Sequence, residues 1–362
     1  MHCRSYHFSY ISAIIIALSP VLSVLTISDA WAFVPIINAR SVQESDSLRD
    51  SFGLRAQVTD SKTQADLLLE KGVKNYRQGL FREAIQAFEQ ALAIRQQLGD
   101  KPGIGETLNN LGEVYGEMGL QSKALEVLRQ ALVIHREIGE GSRTARTLNL
   151  IGFVNRVADN FSEAMKLHQE ALELAKIAND QIEIGESFHN IAAVYGEQGN
   201  YAKAIEFYQQ ARTIRTKEGD RRDLGRTLNN MGGVYYNIGD FNRAMEFYHQ
   251  ALAIRREIGD RAGVGRLLNN MALTSRKLGK DTQALIYFQQ AMIMLEAIGD
   301  RASVGRLLNN MGAIYERLGQ HGKALESYER ALKVVREGGD KVGENTAMEG
   351  IRRLSSGQPL RQ

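Results

Sequence analysis

One feature of the sequence constrains the fold more than any other: a six-residue string recurs at intervals that are multiples of 40 residues. Its clearest form reads TLNNLG, and a degenerate copy begins the series. The copies start at Leu67, Thr107, Thr147, Ser187, Thr227, Leu267 and Leu307. A period of this length is typical of solenoids, in which each unit is one supersecondary element that packs on its neighbours. We therefore assign seven 40-residue units to residues 67–346.

Each unit carries the pattern of two helices. In the second unit, Leu108 and Leu111 share one face of a first helix, and Ala124 and Leu128 share one face of a second. Glycines mark the ends of these helices: Gly79, Gly99, Gly119, Gly139, Gly199, Gly219, Gly239, Gly259, Gly279, Gly299, Gly319 and Gly339. Aspartates that follow the second glycine are predicted N-caps of the next helix: Asp100, Asp220, Asp260 and Asp300. The unit is thus predicted to be a helix hairpin.

Small residues predict where the helices touch. Alanine occupies two positions of the second helix in all seven units, and a larger side chain there would push the helices apart. These alanines are Ala84, Ala124, Ala164, Ala204, Ala244, Ala284 and Ala324, and then Ala91, Ala131, Ala171, Ala211, Ala251, Ala291 and Ala331. The first helix supplies a matching small position: Gly72, Gly112, Gly152, Ala192, Gly232, Ala272 and Gly312.

The residues Leu108, Leu111, Gly112 and Tyr115, followed by the alanine positions, resemble the tetratricopeptide repeat (TPR). The 40-residue unit is similar to the lengthened repeats of Pins/LGN-type adaptors and, less closely, of kinesin light chains. The resemblance implies an all-α, right-handed superhelical solenoid of helix hairpins. Arg136 stands where the 34-residue form has its terminal proline, so the second helix should run on by about a turn and a half. The resemblance fixes the architecture and leaves the ligand open.

The first 32 residues differ from the repeats. Ile11–Ile27 is a mostly apolar run, and Ala30 and Ala32 are small residues at the positions that a signal peptidase reads. We interpret residues 1–32 as a signal peptide cleaved after Ala32, which predicts an exported protein, periplasmic or extracellular, with no stable membrane span after cleavage. The alternative is that the apolar run is retained as an N-terminal membrane anchor. Cys3, the only cysteine, lies in this segment, so the repeats contain no disulfide.

The ends of the array are assigned by their composition. Residues 33–66 are interpreted as a leader of uncertain order. Residues 347–362 are interpreted as a capping helix, with Ile351 and Leu354 covering the last unit, followed by a loose tail.

Composition and motifs argue against nucleic-acid binding, metal binding and catalysis. A formal net charge of +3 over 362 residues, without a basic stripe, argues against a nucleic-acid partner. The Gly263 and Gly265 pair follows no predicted strand, so it is not a phosphate loop. The histidines show no metal-ligand spacing, and no nucleophile motif is present: His2, His7, His135, His168, His189, His249 and His321. We predict no catalytic residue, no metal and no cofactor.

Asparagine is repeated inside the first helix, where each costs about half a kcal/mol or more against alanine. A conflict repeated at one position indicates either a structural hydrogen bond or a ligand contact. The pairs are 109/110, 229/230, 269/270 and 309/310, with single residues Asn149 and Asn190. In TPR families the second Asn faces the concave surface and binds the ligand's backbone amides, which here implies Asn110, Asn190, Asn230, Asn270 and Asn310. The first Asn is expected to bond to a neighbouring repeat.

The helix face that carries these asparagines also carries charge. Arg226, Arg266 and Arg306 each lie one turn before a groove Asn, and Lys277 and Arg317 lie further along the same face. The equivalent face of earlier units carries mainly acidic and apolar residues, with one arginine: Glu106, Glu113, Glu117, Arg146, Leu150, Phe153, Val157, Glu186 and Glu197. We therefore predict a groove that is basic towards its C-terminal half and acidic, with one apolar patch, in its N-terminal half. The alternative is that these charges form a solvated face.

The sequence thus predicts a non-enzymatic scaffold or adaptor that binds an extended, acidic protein or peptide segment in its concave groove. The alternative is a structural element of an envelope or extracellular assembly that self-associates. Light scattering separates the two, because only the self-associating element should form particles whose mass increases with protein concentration.

Overall fold

The computed structural model describes residues 59–356, and these residues form helices joined by short turns. The predicted signal peptide, most of the predicted leader and the last six residues lie outside the described residues. The first described helix, α1, includes residues 59–77. The others are α2 Phe81–Leu98, α3 Lys101–Glu117, α4 Gln121–Glu137, α5 Gly141–Val157, α6 Phe161–Ile177, α7 Gln181–Glu197, α8 Tyr201–Glu218, α9 Arg221–Ile238, α10 Phe241–Glu257, α11 Arg261–Lys277, α12 Asp281–Ala297, α13 Arg301–Arg317, α14 His321–Gly338 and α15 Lys341–Ser356.

Consecutive helices pair into seven hairpins, from α1 with α2 to α13 with α14, and α15 follows alone. The all-α solenoid predicted from the sequence is confirmed. The repeated string lies inside the first helix of each hairpin, so each hairpin begins several residues before the unit boundaries that were counted from residue 67. Residues 59–66, assigned to the leader, are therefore part of α1. The capping helix likewise begins at Lys341 rather than at residue 347.

The turns are fixed by residues that tolerate a left-handed backbone. All twelve glycines at the predicted helix ends have positive φ, between 66° and 90°. The third hairpin has no glycine at either place, and Asp159 (φ 60°) and Asn179 (φ 53°) adopt the same conformation there. These two residue types visit this region more readily than others with a Cβ, so the 40-residue period continues through this unit.

The predicted N-caps accept hydrogen bonds at helix starts. Asp260 Oδ1 accepts from the Gly263 amide at 2.8 Å, and Asp300 Oδ1 accepts from the Ser303 amide at 3.0 Å. Asp100 and Asp220 do the same for α3 and α9. Each bond satisfies an amide that would otherwise lack a partner at the start of the helix.

The small residues pack as the sequence predicts. All fourteen repeated alanines are fully buried. The small position on the first helix lies against a large side chain of the second: a Cβ on Gly312 would lie 2.8 Å from the Tyr328 ring, and one on Gly232 would lie 2.5 Å from Tyr248. Side chains from neighbouring hairpins complete the core, so each unit is stabilised by the next. No helix within residues 59–356 is long and apolar enough to cross a bilayer.

Candidate functional site

The odd-numbered helices form the inner layer of the solenoid. The substantial contacts between next-but-one helices all join odd helices: α3 with α5, α5 with α7, α7 with α9, α9 with α11, and α13 with α15. Helices on the inner side of a curved array come closer together than those on the outer side. The face of the odd helices that carries the repeated asparagines and charges is here called the groove.

Three residues of the first-Asn set, Asn109, Asn149 and Asn309, each tie one hairpin to the next. Asn149 Nδ2 donates to Ser187 Oγ at 2.9 Å, and Asn309 Nδ2 donates to the Gly343 carbonyl at 3.0 Å. Asn109 Oδ1 accepts from Thr147 Oγ1 at 3.0 Å. These side chains are buried or nearly so and bond the following odd helix, as predicted for a structural role.

The second Asn of each pair has a mixed environment. Asn190 Nδ2 donates to Glu186 Oε1 at 3.1 Å, and Asn270 Nδ2 donates to Asn229 Oδ1 at 3.1 Å. Asn230 Nδ2 lies 3.2 Å from His189 Nε2. The two remaining members, Asn110 and Asn310, make no side-chain hydrogen bond within residues 59–356. Ligand binding by this set stays a prediction. Asn110 and Asn310 could bind a ligand without breaking a side-chain hydrogen bond to another described residue.

The cations of the groove divide into paired and unpaired groups. Arg226 forms ion pairs with Glu186 and, at 3.0 Å, with Asp223. Arg317 forms an ion pair with Asp281. The pairs with Glu186 and Asp281 join residues about one repeat apart, so they cannot be recognised from the face of a single helix.

The other three predicted cations have no carboxylate partner among the described residues. Arg266 and Lys277 are exposed and make no side-chain hydrogen bond there, and the exposed Arg306 donates only to Ser303 Oγ, at 2.9 Å. Their positive charge is therefore available to a ligand.

A buried arginine organises the charges in the middle of the groove. Arg215, from the outer helix α8, is 3% exposed and reaches through the inner layer to Glu186 at 2.6 Å. Burial raises the pKa of Glu186, but the guanidiniums of Arg226 and Arg215 outweigh it and lower this pKa to about 2. One turn earlier, burial and the negative charge of Glu186 raise the pKa of Glu183 to about 7.

The N-terminal half of the groove contains another internal pair. Tyr76 Oη donates to Glu113 Oε1 at 3.1 Å, and Arg146 lies 3.8 Å from the same carboxylate. Burial raises the pKa of Glu113 despite Arg146 and this hydrogen bond. Glu113 is thus already bonded within the chain.

The buried histidines have structural environments. His168 Nδ1 lies 3.0 Å from Asn149 Oδ1, and His135 Nδ1 lies 2.9 Å from Thr147 Oγ1. Burial lowers the pKa of His168 to about 3 and that of His135 to about 4, so both are neutral near pH 7. The part of the chain that the structure describes has no cluster of His, Cys, Asp or Glu that could hold a metal ion.

Comparison with known proteins agrees with the fold. Sequence models of the tetratricopeptide repeat match residues 63–137, 183–257 and 263–337, and a second model of the same repeat matches residues 144–180. The chain belongs to the tetratricopeptide repeat family. Members of this family are generally non-enzymatic and bind protein or peptide partners. No curated protein matches the chain.

Solved structures show the same architecture at low sequence identity. A Rap protein complexed with Competence and Sporulation Factor is 18% identical, with a TM-score of 0.61 over 76% of this chain and 75% of that one. The apo form of RapI is 20% identical, with a TM-score of 0.54 over 75% and 97%. Aspartyl phosphate phosphatase F from Bacillus subtilis is 18% identical, with a TM-score of 0.56 over 83% and 76%. At these identities the likeness establishes the fold alone.

Proposed function

We propose that this protein is a non-enzymatic scaffold whose groove holds an extended, acidic segment of a protein partner along α9, α11 and α13. The observation that carries the proposal is the unpaired state of Arg266 and Arg306 on neighbouring hairpins. Support for a bound partner also comes from the similar Rap structure, which was solved with Competence and Sporulation Factor. We further propose that the protein acts outside the cytoplasm, on the basis of residues 1–32.

Charge balance along the groove favours its C-terminal half for this ligand. In the N-terminal half, the Glu113 carboxylate lies near Arg146. In the middle of the groove, Glu186 and Asp223 neutralise Arg226. An acidic ligand would have to displace these internal pairs, and that displacement costs part of the energy gained. At Arg266 and Arg306 it displaces only water and one weak hydrogen bond to Ser303.

Amide groups supply the second element of recognition. An extended segment presents backbone N–H and C=O groups that must be satisfied when it is bound. Asn310 has both its amide oxygen and its amide nitrogen free of partners in the described residues, and Asn270 has its oxygen free. Both lie one turn after an arginine, so a carboxylate and a neighbouring peptide group can be bound at each hairpin.

The test is a titration with two fluorescein-labelled decapeptides of alternating Ala and Glu or alternating Ala and Gln, followed by fluorescence anisotropy. The Glu peptide should bind more tightly, and its affinity should fall as salt rises from about 50 to about 300 mM, because exposed ion contacts are screened within about 8 Å. Equal affinity for the two peptides would contradict the proposal. Light scattering that grew with protein concentration, with no binding of either peptide, would instead support the self-associating structural element.

A further inference from the structure

An ion pair at the edge of the solenoid joins the two helices of a hairpin, and it recurs in three hairpins. The first residue of an odd helix is basic and pairs with a Glu in the last turn of the following even helix. These pairs are Lys101 with Glu137 (3.0 Å), Arg221 with Glu257, and Arg301 with Glu337 (3.4 Å). Hairpin α11–α12 keeps the basic residue, Arg261, but has Ala297 at the acidic position. Arg261 therefore has no ion-pair partner within residues 59–356.

A second cation at this edge, Arg256, also has no ion-pair partner among the described residues. Arg136, in the last turn of α4, pairs with Glu170 of α6 at 2.7 Å. Arg256 holds the same position in α10, but the residue that corresponds to Glu170 is Gln290. Arg256 is exposed and makes no ion pair with any described residue. Two arginines whose counterparts in other hairpins are neutralised are thus left unpaired at one place.

An open pocket of about 430 Å³ lies between these arginines, within the range of ligand pockets. Its floor is apolar and includes Val264, Leu268 and Ile293. Ile293 is 59% exposed, and charged residues take its position in α6 and α14, where Glu173 and Lys333 stand. An exposed apolar side chain is combined here with two unneutralised guanidiniums. This depression is called the edge pocket.

Arg255 adds polarity at the wall of the edge pocket. Its guanidinium pairs with Asp260, while its Nε is buried and has no hydrogen-bond partner among the described residues.

The edge pocket is separate from the groove. Arg261, Val264 and Leu268 project from one side of α11, whereas Arg266 and Asn270 project from the opposite side, as the 3.6-residue period requires. A ligand in the edge pocket would leave the groove accessible.

We propose that the edge pocket is a second binding site, which takes a carboxylate side chain and an adjacent large apolar side chain from a protein partner. The carboxylate occupies the place that Glu137, Glu257 and Glu337 fill in other hairpins and neutralises Arg261 and Arg256. The apolar side chain covers Ile293. Charge complementarity with the two unpaired arginines selects an acidic segment over a basic one.

The repeat itself supplies the decisive variant. Ala297→Glu recreates the ion pair found in three other hairpins, so it should fold as well as the wild type while occupying Arg261 from within. Ile293→Lys copies the residue of α14 and removes the apolar floor. Arg129→Glu, at an exposed position of the outer helix α4, is the matched control that changes charge outside both the edge pocket and the groove.

The probes are two acetylated, amidated peptides, Gly-Glu-Leu-Phe-Gly and Gly-Gln-Leu-Phe-Gly, observed through the ¹³C-labelled isoleucine methyl signals of the protein. The acidic peptide should shift the Ile293 methyl signal and bind about fivefold more tightly than the Gln peptide. Ala297→Glu should remove that advantage, Ile293→Lys should weaken both peptides, and Arg129→Glu should change the affinity of neither. Equal affinity of the two peptides for the wild type, or an acidic preference that survives Ala297→Glu, would overturn the proposal.

Discussion

Replacing Glu186 by Gln tests the charge network that links the outer layer of the solenoid to the groove. Glu186 is the carboxylate on which both Arg215 and Arg226 converge. Gln is nearly isosteric but removes the negative charge, and it leaves Arg215, which is 3% exposed, without a counter-ion. We expect the variant to fold but to be less stable.

The size of the loss follows from the pKa of this carboxyl. An ordinary Glu has a pKa of 4.5 and Glu186 has a pKa of about 2, a difference that corresponds to about 3 kcal/mol of free energy of unfolding. Breaking a fully buried ion pair costs about 3–5 kcal/mol, and the Glu186 side chain is 24% exposed, so the lower end applies. Because the pKa is lowered on folding, the stabilisation is complete above about pH 4.5 and is lost as pH falls towards 2.

The assay is urea unfolding followed by circular dichroism, at about pH 7 and at about pH 3. The variant should lose about 3 kcal/mol at the higher pH and much less at the lower one. Glu173→Gln is the control, because Glu173 is 68% exposed and pairs only with Lys176 on its own helix. Its effect should be below about 0.5 kcal/mol. An unchanged unfolding curve for Glu186→Gln at neutral pH would refute the account of the network.

Three other predictions follow from the packing, the second carboxyl and the N-terminus. Ala251→Leu should destabilise the array by about 1–3 kcal/mol in urea unfolding, because Ala251 is fully buried. Ala253→Leu, on the exposed side of α10, should have little effect. Equal effects of the two substitutions would show that Ala251 is not tightly packed. Glu183→Gln should stabilise the protein more at about pH 8 than at about pH 5, because a carboxyl with a pKa raised from 4.5 to about 7 costs stability progressively as pH rises between these two values. A pH-independent difference would contradict that pKa. N-terminal sequencing of the native protein should begin at Phe33, and retention of Met1 would favour a membrane anchor.

The fold was predictable because the residues that determine its turns and its packing recur at fixed intervals in the sequence. A glycine with positive φ every twentieth residue and an alanine that touches the facing helix are requirements of the backbone, and they leave little freedom in the sequence. The third hairpin shows what such reasoning misses. Asp159 and Asn179 replace glycine there because they can also adopt the left-handed backbone, although neither was predicted as a helix end.

The site was less predictable, because its state depends on residues from different hairpins. The structural role of the first Asn could be inferred, since an amide repeated inside a helix needs a partner. The pairing of Arg226 with Glu186 was missed, because reading one helix face at a time ignores the residue 40 positions earlier. Arg317 with Asp281 is a similar case. Comparing each charge with its counterpart one repeat away would have revealed the first pair.

The most direct test of the groove is a charge reversal confined to its two unpaired arginines. The double variant Arg266→Glu with Arg306→Glu leaves the Arg226 pair intact and should retain the helical circular-dichroism signal, because both side chains are exposed. The control is Arg129→Glu with Arg330→Glu, which makes the same change of net charge on exposed positions of the outer helices α4 and α14.

The measurement is the affinity of both double variants for the alternating Ala and Glu decapeptide, determined by fluorescence anisotropy. The groove variant should bind about tenfold or more weakly than the wild type, because two attractive contacts become repulsive, while the control should stay within about twofold. Equal loss in the two variants would show that only net charge attracts the peptide. An unchanged affinity in the groove variant would contradict the central claim that Arg266 and Arg306 hold an acidic ligand.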